Sequence, residues 1–199
     1  MAKNPWCNVW TNPRETIREI VKTNPNRSFY WLSAIYGLPT AFSVAQNYSF
    51  ADFMPFWAIL VASFALCTVI GAIGISITAW LLQFTGRWLG GKGQYTSIRS
   101  AIAWSNVPNT VVILMWLVLI CVFGDLLFMK GFEHAHFGGF ETGLIFLVFL
   151  IQTIAAIWGF IIMLSMLGEV QGFSAWMGLL NVLIPFSIIA VIVWLISLI

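Results

Sequence analysis

Charge is confined to a few short segments of this chain, which leaves residues 28–51, 53–86, 100–124, 142–168 and 170–199 without a single Asp, Glu, Lys or Arg. Each stretch can hold a helix of about 20 residues, the length that crosses roughly 30 Å of hydrocarbon. A bilayer core supplies no water to backbone amides, so helices are the expected spanning structure, and the stretches lack the alternation of outer-membrane strands. Composition closes off the soluble alternative. With 60% hydrophobic residues, 8% charged and a mean hydropathy of +0.93, too few polar groups exist to cover a water-facing globule. The expected fold class is an all-α integral membrane protein with five transmembrane helices, near 29–46, 56–84, 108–128, 143–167 and 176–198, plus two short cytoplasmic interfacial amphipathic helices. Residues 1–28 read as a cytoplasmic N-terminal segment carrying the first of these, and 29–199 as the membrane domain. No removable signal peptide is expected, since the first 28 residues hold no short apolar core with a cleavage site, and the first span serves as the targeting signal.

Orientation follows from the basic residues. Lys3, Arg14, Arg18, Lys22 and Arg27 precede the first span, and Arg87, Lys92 and Arg99 lie between the second and third. Only Lys130 falls between the third and fourth. The positive-inside bias therefore places the N terminus, the 86–107 loop and the 168–175 turn in the cytoplasm, with the 129–142 loop and the C terminus outside, as in a bacterial inner membrane. An even number of spans would break this agreement. Trp6, Trp10, Trp88, Trp104 and Trp176 fall near the cytoplasmic boundaries, where amphipathic rings prefer to sit.

Within the N-terminal segment, Asn12-Pro13-Arg14-Glu15 reads as a helix start, with Asn as N-cap, Pro at the first helical position and Glu three residues after the cap. Asn24-Pro25 should end it. Ile17, Ile20 and Val21 share one face, and Arg14, Arg18 and Lys22 recur on another. Such a helix either lies among lipid headgroups or packs on the protein's own turns. The first span should kink or unwind at Gly37 and Pro39, and the second should bend at Gly71 and Gly74. Ser63, Cys67 and Gly71 form a row of small residues suited to close helix packing. Cys7, Cys67 and Cys121 have no paired spacing and read as small apolar residues. Residues 16–26, T-I-R-E-I-V-K-T-N-P-N, are weakly echoed by 97–109, S-I-R-S-A-I-A-W-S-N-V-P-N, a hint of two structural halves that an odd span count resists.

Residues 86–93, G-R-W-L-G-G-K-G, come within one residue of the phosphate-binding pattern G-x-x-x-x-G-K-[ST]. That loop needs a preceding strand and a Ser or Thr for magnesium, whereas here a membrane helix precedes and Gly93 stands at the hydroxyl position. Gly86, Gly90, Gly91 and Gly93 are better read as a hinge where the backbone turns out of the membrane, leading into a second interfacial helix over 96–106 that ends at Pro108.

Three strings carry a resemblance. They are N4-P-W6 with W10-T-N-P13-R14-E-T16-I17-R18-E-I, residues 88–108 W-L-G-G-K-G-Q-Y-T-S-I-R-S-A-I-A-W-S-N-V-P, and G168-E169-V-Q171-G-F173-S174-A-W176. Together they resemble the Ypt-interacting-protein (Yip) domain family in its short bacterial form, over nearly the whole chain. The resemblance implies five spans with a cytoplasmic N terminus. Eukaryotic members bind prenylated Rab-type GTPases, pair with related membrane proteins and support vesicle traffic, and they carry a long N-terminal region with an Asp-Leu-Tyr-Gly-Pro type motif. This chain has about 28 residues there and no such string, which argues against small-GTPase binding.

The residues these strings bring forward as a functional platform are Pro13, Arg14, Arg18, Gly90, Gly91, Gly93, Arg99, Trp104, Pro108, Glu169, Gln171 and Trp176. Glu169, the one acidic residue of its turn, should pair with Arg99 or Arg18. Outside, Glu133, His134 and His136 are weak metal candidates, outweighed by a solvated glycine-rich loop. No nucleophile stands with a base, and Gln152 and Asn181 form no acid/base pair, so no enzyme and no cofactor is expected. The sequence reads as a scaffold that organises membrane proteins or shapes lipid, with the bilayer, other membrane proteins or a second copy of itself as partners and no nucleic acid. The rival is a small ion, lipid or metabolite transporter or channel that uses Glu169 and the broken first helix.

Overall fold

A computed structural model describes residues 4–196 and is built from helices and turns, with no strand among the described residues. A four-residue helix α1 (Pro5–Asn8) precedes α2 (Pro13–Thr23), α3 (Phe29–Asn47), α4 (Phe56–Trp88), α5 (Tyr95–Ser105), α6 (Asn109–Phe123), α7 (Gly139–Gln171) and α8 (Ala175–Ile196). The chain divides into two compact units. Met1–Phe29, Ile75–Ser105 and Phe160–Ile199 form one, and Tyr30–Gly74 with Asn106–Gly159 form the other. Lys3 and the expected end of the last span at Leu198 lie outside the described residues.

Among the described residues four helices, not five, are long and apolar enough to cross a membrane: Phe56–Trp88, Asn109–Phe128, Gly139–Gln171 and Trp176–Leu195. The expected span that falls short is α3. Tyr30, Ser33, Tyr36, Thr40, Ser43, Gln46 and Asn47 dilute its apolar content within 19 residues. Nor is it broken, because the helix runs continuously through Pro39. Gly37 serves contact instead of a kink. A Cβ there would overlap the Cys67 carbonyl, and one on Gly71 would overlap the Ser33 carbonyl, so α3 and α4 meet backbone to backbone. The buried row Ser63, Cys67 and Gly71 is thus a packing groove. In the same unit Phe42, fully buried, packs on Phe64, Trp116 and Phe128 with ring centroids 6.1, 5.6 and 6.3 Å away.

The faint sequence echo belongs to a longer repetition of elements. Helices α2 and α5 are each 11 residues long, and α4 and α7 are each 33. Ser49 (φ 51°) leads a 3-10 turn over Phe50–Asp52, just as Gly131 (φ 89°) leads one over Phe132–His134. At the far end of the long helices, the Gly91 amide donates to the Gly86 carbonyl (2.8 Å), and at the same register shift Phe173 donates to Gly168 (2.7 Å). The residue between, Gly90 or Gly172, takes positive φ in both (82° and 75°), the left-handed closure typical of helix C-termini. Helix α8 stands outside the repetition.

Candidate functional site

Helix α2 starts at Pro13 as its sequence predicts, but Asn12 makes no side-chain cap. Its amide nitrogen donates instead to Thr11 (3.1 Å), while the Asn12 carbonyl accepts the Thr16 hydroxyl (2.8 Å). Ile17 and Ile20 are buried, and the helix packs on α5. Its apolar face is therefore covered by protein. Helix α5 likewise buries Ile98, Ala101 and Ile102, so in both helices the protein-packed alternative holds. Neither helix offers the apolar face an interfacial helix would give to lipid. What α2 leaves outward is charge of both signs, with Arg14, Arg18 and Lys22 exposed and Glu15 and Glu19 exposed among them.

The basic stripe is tied to the last turn of α7. Arg18 Nε donates to Glu169 Oε1 at 2.7 Å, the second of the two pairings open to Glu169. That hydrogen bond, reinforced by the carboxylate charge, raises the Arg18 guanidinium above its already high ordinary pKa. Arg99 takes other partners. It donates to Asn26 Oδ1 (2.5 Å) and lies over the rings of Phe29 and Tyr95, 4.5 and 5.5 Å from their centroids. Trp104 is fully buried against Trp6 (5.1 Å between centroids). Its neighbour on the list of expected boundary rings, Trp176, is 78% exposed.

The glycine segment closes around one side chain. Gln171 is 2% exposed, and a Cβ on Gly86, Gly91 or Gly93 would run into its carboxamide. The Gln171 Nε2 donates to the Leu82 carbonyl (3.1 Å), its Oε1 accepts from the Gly93 amide (3.3 Å), and its own carbonyl accepts from the Lys92 amide (3.1 Å). Leu82 O also receives Asn181 Nδ2 (3.1 Å), and Asn181 Oδ1 accepts the Thr85 hydroxyl (2.7 Å). Asn181 is fully buried. The amides that a phosphate loop would aim at its ligand are committed here to Gly86 and Gln171, and a helix precedes them. These glycines are a socket for an amide.

Of the expected platform, the structure thus joins Arg18 to Glu169 and Gly91 and Gly93 to Gln171, with Pro13 at the head of α2. Gly90 faces open space and supplies the positive φ of the turn. Pro108 belongs to the other unit, where it caps α6. His134 and His136 are exposed, the Glu133 side chain lies outside the described residues, and no three metal-binding side chains converge among those described. Thr85 and Asn181 were not foreseen as a pair. An Asn in an apolar run signals only that it needs a partner, and sequence does not say which.

The family model described as the Yip1 domain matches residues 7–197, nearly the whole chain. No curated protein and no solved structure matches it.

Proposed function

The chain belongs to the Yip1 domain family, and from that premise we propose that it is a non-enzymatic scaffold that organises membrane proteins or lipid through the surface formed by α2, the glycine socket and the Glu169 turn. It is a multi-pass membrane protein of a family that is generally not enzymatic. The observation that carries the scaffold reading is the division of labour on α2. The helix buries Ile17 and Ile20 against the protein and presents Arg14, Arg18 and Lys22 outward. With Arg18 taken by Glu169, Arg14 and Lys22 are the α2 cations left to dock on an acidic protein surface or an anionic headgroup, beside the exposed Glu15 and Glu19. The features that favoured transport are otherwise occupied. Helix α3 is continuous, and Glu169 is held by Arg18.

The topology we propose puts this surface in the cytoplasm. Eight of the nine basic residues precede α3 or lie on the 86–107 segment. Helices α2 and α5 pack together, so the chain returns between them to the face it left. Helix α4 provides one crossing, and parity assigns the other to α3.

Photo-crosslinkers at Arg14 and Lys22 in native membranes test the reading, alongside flux assays in proteoliposomes. Capture of a defined membrane protein or lipid that is lost in Arg14→Gln/Lys22→Gln, with tight vesicles, is the expected outcome. Solute flux abolished by Glu169→Gln would replace the scaffold with a transporter.

A further inference from the structure

The repeated turns bring together a second candidate site in the unit formed by Tyr30–Gly74 and Asn106–Gly159, distinct from the basic surface. A cavity of about 350 Å³ is lined by Gln46, Asn47 and Ser49 from one turn and by Lys130, Gly131 and His134 from the other. Ser49 and Gly131 are the paired left-handed residues of the repetition, so the cavity sits where the two structural halves face each other.

Its donors define the ligand. Lys130 brings an ammonium, His134 a ring N–H, Gln46 and Asn47 carboxamides, and Ser49 a hydroxyl. No carboxylate lines it among the described residues. The nearby Asp52 accepts the Lys130 backbone amide through Oδ1 (3.2 Å), which fixes the residue that carries the ammonium. Five donor groups exceed what the two oxygens of a carboxylate can accept, whereas a phosphate ester offers three terminal oxygens and up to two charges. Lys130 is also the one basic residue of the chain remote in sequence from the α2 and glycine segments.

We propose that this cavity binds a phosphate-bearing group of about glycerol-phosphate size, presented by a phospholipid headgroup or by a soluble phosphate ester. The cavity borders the C-terminal end of α3 and the 3-10 turn that follows α6, where the apolar stretches end and headgroups begin.

The test uses the full chain in neutral detergent, with titration calorimetry against glycerol 3-phosphate and, separately, short-chain phosphatidylglycerol. Saturable binding of at least one probe, weakened about tenfold or more in both Lys130→Gln and His134→Gln and unchanged in Lys92→Gln, is the expected result. Binding of the lipid alone assigns the headgroup as the source, and binding of glycerol 3-phosphate assigns a soluble ester. Both substituted side chains are exposed, so the variants should fold, and unchanged helical circular dichroism checks it. Failure of both probes to bind at millimolar concentration, or equal binding by the Lys130 and His134 variants and the parent, overturns the assignment.

Discussion

Replacing Gly86 with alanine should change sign with the identity of residue 171. The three atoms nearest a Cβ at Gly86 all belong to the Gln171 carboxamide, so Gly86→Ala alone must push the amide off the Leu82 carbonyl and the Gly93 amide. Leu82 O keeps Asn181 as a donor, whereas the Gly93 N–H keeps nothing known to replace Gln171. Loss of one partly buried partner plus overpacking costs about 1–3 kcal/mol. Gln171→Ala loses the same two bonds and should cost a similar amount. With the amide gone, however, Gly86 is merely a glycine inside α4, and Gly86→Ala should gain about 0.5–1 kcal/mol from helix propensity. The coupling between the two positions is then about 2 kcal/mol or more. Reversible unfolding of the four proteins of the cycle in mixed micelles measures it. Equal costs for Gly86→Ala in both backgrounds, within about 0.5 kcal/mol, would refute the socket.

Asn181→Leu should cost only about 1–1.5 kcal/mol in the same assay, because hydrogen bonds within membranes average about 0.6 kcal/mol and both partners have alternatives. Thr85 still reaches the Leu81 carbonyl (3.0 Å), and Leu82 O still receives Gln171; a loss above about 3 kcal/mol would mean orphaned groups. Gly71→Ala should cost about 1–3 kcal/mol and more than Gly74→Ala, since Gly71 meets the Ser33 backbone while Gly74 meets only the movable Tyr36 ring; a reversed order of melting temperatures would contradict the close crossing. Arg18→Glu should loosen α2 and change the emission of the Trp6–Trp104 pair, and Arg18→Glu/Glu169→Arg should restore it; failure of the swap to restore the spectrum would argue that the ion pair does not hold α2 in place.

Much of this architecture was legible because a membrane simplifies the code. Apolar length alone located α4, α6, α7 and α8, and Pro13 and Asn24 marked the ends of α2. The misjudgements share a cause. Gly37 and Pro39 suggested a broken helix, but whether a glycine is a hinge or a contact depends on the neighbour it meets, here the α4 backbone. Ile17 and Ile98 announced apolar faces without saying whether lipid or protein would cover them. The glycines at 86–93 were readable as a backbone hinge and not as a phosphate loop, but sequence shows only permissive backbone and not the Gln171 carboxamide, 78 residues beyond Gly93, that fills the space. Glu169 was readable as needing a cation, and geometry chose Arg18 over Arg99.

The account stands on the cytoplasmic placement of the α2 surface, and Cys7 reports on it directly. Cys7 is exposed, Cys67 is buried, and Cys121, on the apolar helix α6, can be removed as Cys121→Ser. A membrane-impermeant maleimide applied to intact cells should leave Cys7 unlabelled and should modify it once the membrane is permeabilised. Full labelling of Cys7 in intact cells would place the basic ridge, the Gln171 socket and the Glu169 turn on the outer face.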